Sequence, residues 1–177
     1  YQGSDWAKDT LEKIGGRVQT GPFGSLLHKP DYVIDAIPLI NPANIDGNKI
    51  IPDTNKTVRK KALERLKSYV LEKDDLVIGR RGEIGRCAVV KEEQAGWICG
   101  TGCFFIKPFE DVNPYFLAYL LRSVYYRKKL ENLTTGTTMK NLNNKSLSNL
   151  IIALPSFKVQ NKIVKQLEDL NIKTQRL

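Results

Sequence analysis

Histidine is almost missing from this sequence, and the spacings that cysteine and histidine form in metal sites are missing with it. The 177 residues include one histidine, His28, and three cysteines, Cys87, Cys99 and Cys103. A structural zinc site uses four such ligands in paired spacings, and a disulfide framework uses an even number of cysteines. We therefore expect neither a metal site nor a disulfide. We interpret the cysteines as small buried side chains of a reduced, cytoplasmic protein.

Long hydrophobic runs are also lacking. The longest ones, such as FLAYLL, are far shorter than the roughly 20 residues that an apolar helix needs to cross a bilayer. Hydrophobic residues make up 41% of the chain and charged residues 27%, which is typical of globular proteins rather than of disordered ones. We therefore expect one domain of ordinary size with no membrane segment.

Several common catalytic patterns are absent as well. The sequence has no Asp-x-Lys or Glu-x-Lys tripeptide of metal-dependent nucleases and no Gly-x-Ser-x-Gly elbow of hydrolases. Asn113-Pro114-Tyr115 lacks the second proline of an amino-methyltransferase site, and Asn113 is better interpreted as a helix N-cap. These absences predict a non-catalytic protein without a cofactor.

Basic residues, in contrast, are abundant. Lysine and arginine exceed the acidic residues by 28 − 19 = +9, and the pI is about 9.5. Residues 56–67 contain six basic residues against Glu64, and residues 122–145 contain six against Glu131. Such an excess favours a polyanionic partner, since lysine and arginine neutralise phosphates. Alternatively, the basic residues of 56–67 form the solvent-exposed face of a helix and bind no partner.

The hydrophobic pattern predicts a mixed α/β domain over residues 5–155. Short β-branched and aromatic runs predict strands in AIPLI (at a sheet edge), SYVL, DLVIG, GRCAVV, GWICG, CFFIKP and NLIIALP. Helices are predicted from Trp6, over Thr57–Ser68 with Thr57 as the N-cap, and from the N-cap Asn113 to Leu130. The buried stripe predicted for this last helix consists of Leu117, Leu120, Leu121 and Val124.

The segment 156–177 has a different pattern, with apolar or small residues at alternating steps of three and four. This spacing predicts a helix that pairs through a coiled-coil seam. The seam positions are Gln160, Ile163, Leu167, Leu170, Thr174 and Leu177. A single helix of this length is marginal in water, so we expect a partner helix from another chain or from another part of the protein.

The stretch DDLVIGRRGEIGRCAVV places Gly79, Gly82 and Gly85 at equal intervals. It matches neither the phosphate loop of nucleotide-hydrolysing proteins nor the dinucleotide fingerprint. We interpret it as a β-hairpin with Arg81-Gly82 at its tip. The hairpin is either purely structural or one whose arginines also contact DNA.

The order of these motifs resembles that of the specificity subunits of type I restriction–modification systems. The similar blocks are GPFGSLL, IPLINPANIDGNKI, YVLEKDDLVIGRRGEIGRCAVV and TTGTTMKNLNNKSLSNLIIALPSFKVQNKIVKQL, within Trp6 to Leu177. Two positions differ from the family pattern: Asp74-Asp75 stands where a Gly-Asp pair is common, and Val159-Gln160 stands where Glu-Gln is usual.

The resemblance implies a non-catalytic reader of DNA that serves in phage defence. One α/β target-recognition domain with a mixed sheet would contact half of a bipartite double-stranded target. The following helix would pair as an antiparallel coiled coil and dock methyltransferase subunits, which supply the S-adenosylmethionine chemistry, and a motor-nuclease subunit would join them. With one domain and one helix, the chain is expected to be either a fragment or a half-length subunit that forms a homodimer.

Three groups of polar and basic residues are candidates for DNA contact, because Lys and Arg bind phosphates while Asn, Gln, Arg, Ser and Thr read base edges. They are Gln19, Thr20, Ser25, His28 and Lys29; Arg80 and Arg81; and Thr137, Thr138, Lys140, Asn141, Asn143, Asn144 and Lys145. The alternatives are a fold-defining turn for the first group, a structural hairpin for the second, and turn capping for the third.

Two other functions remain open from the sequence. The chain could be the target-recognition domain of a single-chain restriction–modification or phage-defence methyltransferase. A basic module that binds RNA or an acidic protein is the second alternative. An upstream catalytic region would favour the first, and competition between RNA and duplex DNA would test the second.

Overall fold

The computed structural model describes residues 5–136 and 140–174, which form strands, α-helices and single 3-10 turns. The strands are β1 (Ala7–Thr10), β2 (Gly16–Thr20), β3 (Tyr32–Val33), β4 (Ile37–Ile40), β5 (Ile45–Asp46), β6 (Lys49–Ile50), β7 (Thr57–Val58), β8 (Leu76–Gly79), β9 (Cys87–Val89), β10 (Ile98–Cys99), β11 (Cys103–Pro108) and β12 (Ile151–Leu154). The helices are α1 (Leu11–Ile14), α2 (Leu63–Leu66), α3 (Pro114–Arg122), α4 (Val124–Asn132), α5 (Asn144–Ser148) and α6 (Phe157–Thr174).

The central sheet is antiparallel, in the order β2-β11-β8-β9. Because side chains alternate along a strand, its two faces bury different residues. Ile78 and Phe104 lie in a core covered by α3 and α4, whereas Val77 and Phe105 lie in a second core formed with residues 40–50. All four side chains are at most 1% exposed. The sheet is therefore buried on both sides.

A second sheet has the order β10-β4-β7-β3 and is mixed, since β10 runs parallel to β4 and the other pairs are antiparallel. Val58 from this sheet packs with Ala62 and Leu66 in a third core. The predicted mixed α/β architecture is confirmed.

The third feature of the fold is a two-stranded antiparallel ladder between β1 and β12. It brings the beginning of the described chain beside the strand that precedes α6. Val164 of α6 is buried in the same core as α3, and Ile163 packs against that core. The first turns of α6 are therefore part of the domain's packing.

The helix predicted from Trp6 is wrong at its start. Residues 7–10 form β1, and only Leu11–Ile14 are helical. Pairing with β12 outweighs the local preference, and Gly15 and Gly16 follow the helix directly. A side chain on Gly16 would lie 2.4 Å from the carbonyl oxygen of Lys107, so only glycine fits where β2 begins.

Thr57 is not a helix cap. It lies in β7 and is 1% exposed, and its hydroxyl donates a hydrogen bond to the Val33 carbonyl and accepts one from the Ala36 N–H. The helical segment begins only with a 3-10 turn at Lys60–Ala62 and continues into α2. The prediction failed because the hydroxyl group of threonine can form hydrogen bonds with the backbone of a neighbouring strand as readily as with the first N–H groups of a helix.

The single helix predicted after Asn113 is two helices. Asn113 does cap α3, since its side chain accepts the N–H groups of Tyr115 and Phe116. Ser123, however, has extended backbone angles and caps α4 by accepting the Tyr126 N–H. Serine is a strong N-cap, and here it interrupts the helix. Val124 is consequently 70% exposed instead of continuing the buried stripe.

Two strand predictions also need correction. SYVL is not a strand: a 3-10 turn spans Lys67–Tyr69, and Val70 makes one isolated bridge to Ile98. The strand of AIPLI is β4, which lies between β10 and β7 rather than at an edge. The remaining runs form β8, β9, β10, β11 and β12 as predicted, although Ile151 of β12 is half-exposed.

The three cysteines are buried and unpaired, as predicted. Burial raises the pKa of the Cys87 thiol to about 12 and that of Cys103 further, so both stay protonated at neutral pH. Within residues 5–136 and 140–174, His, Cys, Asp and Glu form no cluster that would hold a metal ion, and no helix is long and apolar enough to cross a membrane.

Candidate nucleic-acid interface

Four strand ends of the central sheet meet at one edge. β2 ends at Thr20 and β8 ends at Gly79, while β9 and β11 begin there. The segments at this edge are residues 19–25, 80–86 and 100–102, and residues 140–145 pack against them. We refer to these four segments as the loop edge.

Glycines hold the loop edge together through backbone contact. A β-carbon on Gly21 would lie 2.0 Å from the Gly100 carbonyl oxygen, and one on Gly100 would lie 2.4 Å from Oδ1 of Asn41. The same Asn41 oxygen accepts the N–H of Gly102 at 3.1 Å. The first and third segments therefore approach as closely as backbones can.

Residues 74–90 form a hairpin as predicted, but its loop spans residues 80–86 and is longer than the predicted Arg81-Gly82 tip. β8 and β9 pair antiparallel, and the Gly79 N–H donates to the Arg86 carbonyl at 2.9 Å. Gly82 and Gly85 have φ values of +71° and +87°, a region that favours glycine. Two of the three equally spaced glycines thus serve the turn geometry, and the loop carries Arg80 and Arg81 at the loop edge.

Arg80 and Arg81 differ in their surroundings. Arg80 donates from Nε to Oδ1 of Asn141 at 3.2 Å, and its guanidinium lies 5.0 Å from the ring centre of Phe104. Its carbonyl accepts the Leu142 N–H, and partial burial lowers its pKa. Arg80 therefore fastens the hairpin to residues 141–142. Arg81 is exposed, so its charge faces solvent.

The asparagine-rich segment combines capping with contacts between loops. Asn143 caps α5 by accepting the Ser146 N–H at 2.8 Å, as the capping alternative anticipated. Asn144 donates to the hydroxyl of Thr20 at 3.0 Å and so ties α5 to β2. Lys140 and Lys145 are exposed. Thr137 and Thr138 lie outside the described residues.

The first group of predicted DNA contacts, between Gln19 and Lys29, lies in two different parts of the structure. Gln19 and Ser25 are exposed beside Thr20 at the loop edge. His28 and Lys29 are also exposed, but they begin the 3-10 turn that leads into β3 of the second sheet. Among the described residues no hydrogen bond joins them to Arg80 or Asn141.

Asp31 fixes this turn to the second sheet and is 1% exposed. Its carboxylate accepts the His28 N–H at 2.9 Å and pairs with the guanidinium groups of Arg59 and Arg65. The hydrogen bond from His28 and the two positive charges lower the pKa of Asp31. Part of the basic charge of residues 56–67 therefore neutralises a buried carboxylate and is not available to a partner.

Two residues at the loop edge were missed by the sequence reasoning. Phe23 is 73% exposed, although hydrophobic residues are normally assigned to a core. Asn41 joins the loop edge from outside its four segments, and nothing in its local sequence indicates that role. Its position between a strand and Pro42 suggested only a turn.

The chain matches the family model for the type I restriction modification DNA specificity domain over residues 9–177. It is 25% identical over 166 residues to the EcoBI specificity subunit of Escherichia coli, which covers 94% of this chain and 35% of that protein. It is also 25% identical to the MjaVIII specificity subunit of Methanocaldococcus jannaschii, with 94% and 40% covered. The chain thus spans well under half of these relatives, which belong to a non-catalytic class of subunit.

Solved structures agree on the fold. A chain from a study of complex assembly and conformational transition in a type I system superposes with a TM-score of 0.75 at 18% identity, covering 99% of this chain and 40% of that one. The HsdS subunit of Thermoanaerobacter tengcongensis gives 0.71 at 18% identity, with the same coverage. The family match, the relatives and the shared fold lead to one conclusion: the chain belongs to the type I restriction modification DNA specificity domain family.

Proposed function

We propose that the chain is a sequence-recognition domain of a type I specificity subunit that reads one half of a bipartite duplex target through the loop edge. The observation that carries this proposal is the convergence of separate segments with exposed cations, namely Arg81, Lys140 and Lys145. In the same hairpin loop, Glu83 is paired with Arg86, which leaves Arg81 outside that ion pair.

The contacts divide by chemistry. Arg81, Lys140 and Lys145 bind phosphates, which fixes the register of the domain on the duplex. Gln19 and Ser25 lie nearby and read base edges in the groove. Thr20, Arg80, Asn141, Asn143 and Asn144 hold the loops in place. Thr138 stays a candidate base contact without a structural description.

The partners of the complex are proposed on the family alone. Methyltransferase subunits, which bind S-adenosylmethionine, and a motor-nuclease subunit would perform the reactions in the cytoplasm. The second half of α6 supports a docking or pairing role, because Leu170, one of the predicted seam positions, is 58% exposed. The last seam position, Leu177, lies outside the described residues. Exposed aliphatic side chains on one helix suit burial against another helix.

Arg81→Ala tests the proposal in the assembled complex. We expect weaker binding to duplex DNA and a plot of log affinity against log salt that is less steep by about 0.9, the contribution of one neutralised phosphate. The matched control is Arg17→Ala, since Arg17 is exposed on the same sheet but lies at the beginning of β2, away from the loop edge. Unchanged affinity and salt dependence for Arg81→Ala would contradict the assignment.

A further inference from the structure

Phe23 has the highest exposure, 73%, among the large hydrophobic side chains of the described residues. It does not sit on a loose loop. Gly21 and Pro22 before it are buried, and the Gly21 N–H donates to the Cys103 carbonyl at 3.1 Å. The Phe23 carbonyl accepts the Leu26 N–H at 2.9 Å, which closes the 3-10 turn that follows. The backbone thus presents the ring to solvent from a fixed position.

The surroundings of Phe23 restrict what can cover the ring. The exposed residues nearest to it in the chain, Gln19, Gly24 and Ser25, are polar or small. Its loop packs against Gly100, and the Arg80 N–H donates to the carbonyl of Gly102, two residues further along the same turn. The ring therefore lies on a loop neighbouring the one that carries Arg81.

We propose that Phe23 enters a groove of the target duplex as an apolar wedge and partly unstacks one base step. This inference rests on the proposed function and adds a specificity-determining residue to it. Protein interfaces also use exposed aromatic side chains, so the experiment includes a measurement of subunit assembly without DNA. Stacked bases offer apolar faces within a strongly anionic polymer, so they suit an isolated ring beside cationic side chains.

An inserted ring would also add a preference for base steps that unstack easily, which hydrogen bonding to base edges does not supply. Pyrimidine–purine steps unstack more easily than other steps, so an inserted ring favours targets that carry such a step at the right place. The contact releases no counterions, since the ring is uncharged. Its contribution to affinity is therefore independent of salt, unlike that of Arg81.

The test compares Phe23→Ala with Val124→Ala in the complete subunit assembled with its methyltransferase subunits. Val124 is a matched control because it is 70% exposed and lies on α4, outside the loop edge. The probe is a duplex of the sequence methylated in the host, with 2-aminopurine placed at successive steps. We expect Phe23→Ala to lower affinity about tenfold or more without changing the salt dependence. The wild-type complex should raise the 2-aminopurine fluorescence at one step, and Phe23→Ala should abolish that rise.

The outcomes separate this inference from the proposed function. Wild-type binding and fluorescence in Phe23→Ala, alongside weakened binding in Arg81→Ala, would overturn the wedge and leave the function standing. Failure of the wild-type complex to bind its methylated sequence would overturn both. Loss of methyltransferase assembly in Phe23→Ala, measured by light scattering without DNA, would mean that the ring faces a protein and would overturn the wedge.

Discussion

Glycines at the loop edge serve two separate purposes at the scale of single residues. Gly82 and Gly85 supply positive φ angles to the hairpin loop. Gly21, in contrast, permits two backbones to touch and Gly100 permits the side chain of Asn41 to approach, and a β-carbon at either would lie 2.4 Å or less from an oxygen atom. Substitution therefore acts through turn strain at the first pair and through steric overlap at the second.

Gly21→Ala should disrupt the loop edge, whereas Gly24→Ala should be tolerated. The added methyl group at Gly21 would overlap the Gly100 carbonyl, while at Gly24 no atom lies within 4 Å. We expect a loss of about 1–3 kcal/mol or more in the free energy of unfolding for Gly21→Ala. Gly24→Ala should stay within about 0.5 kcal/mol, as exposed substitutions usually do. Urea titration measures both, and equal stability of the two variants would contradict the packing described for Gly21.

The structural roles of some single residues could be predicted from the sequence, and those of others could not. The capping by Asn113 was predictable because a proline follows it at the first helical position, and the hairpin glycines were predictable from their spacing. Thr57 and Ser123 were not, since the same hydroxyl group can cap a helix or satisfy a strand. Phe23 was missed because its exposure depends on how Gly21 and Pro22 pack against a distant turn.

At the scale of elements, α6 is fastened to the domain by Gln160, which is 2% exposed. Its Nε2 donates to the carbonyls of Pro155 and Asp111 at 2.9 and 3.2 Å, and its Oε1 accepts the Asn113 N–H at 2.8 Å. Gln160 was predicted as a helix-pairing position, but these bonds are all within the domain. The helix therefore starts in a defined direction, and the pairing of its later turns stays a prediction.

Gln160→Glu should loosen this attachment. The substitution replaces the donor group by a carboxylate oxygen that faces two carbonyl oxygens, so a buried charge loses its partners. We expect a loss of about 1–3 kcal/mol in the free energy of unfolding at neutral pH. Gln166→Glu is the matched control, because Gln166 is an exposed glutamine of the same helix. Equal urea midpoints for the two variants would contradict the anchoring role of Gln160.

The later turns of α6 carry the second prediction at this scale. We expect that Leu167→Lys/Leu170→Lys prevents pairing with another helix, because two charges would enter an apolar seam. The exposed fraction of Leu170 is 58%, so the fold of the domain itself should be retained. Light scattering of the purified protein should report a lower mass for the double variant than for the wild type. Glu168→Lys/Asp169→Lys is a control with the same number of added lysines outside the predicted seam positions.

Elements were predictable where their signal is local. β8, β9 and β11 contain continuous apolar runs, and both faces of their sheet are buried. β1 and β7 were missed because each forms through pairing with a distant strand, β12 or β4, rather than through its own composition. The composition of the element itself separates these cases, because β12 pairs with the equally distant β1 and was still predicted from its continuous apolar run.

At the scale of the whole molecule, residues far apart in sequence assemble one surface. Thr20 and Asn144 are 124 positions apart and share a hydrogen bond, and Arg80 and Asn141 are 61 positions apart and do the same. These residues were predicted from the sequence as members of separate groups, because amino-acid composition identifies each polar loop on its own. It did not indicate that they meet, since that depends on which ends of the central sheet lie together.

His28 and Lys29 follow the first segment of the loop edge in the chain but lie in the next turn. They belong to a turn fixed by Asp31, whose pairing with Arg59 and Arg65 serves the fold. The net charge of +9 therefore overstates the charge available to DNA, because several cations are used internally. The distribution of exposed cations at the loop edge is the more useful guide to the binding surface.

The most direct measurement of the central claim is the sequence of methylated sites in a host that carries the complete system. The account predicts that Gln19→Ala/Ser25→Ala, which removes the two proposed base contacts, makes one half of the methylated bipartite motif degenerate and leaves the other half as in the wild type. Lys8→Ala/Arg17→Ala/Lys158→Ala, which changes exposed residues outside the loop edge, should give the wild-type motif. An unchanged motif in the loop-edge variant, or equal loss in both halves, would contradict the claim that this edge reads one half-site.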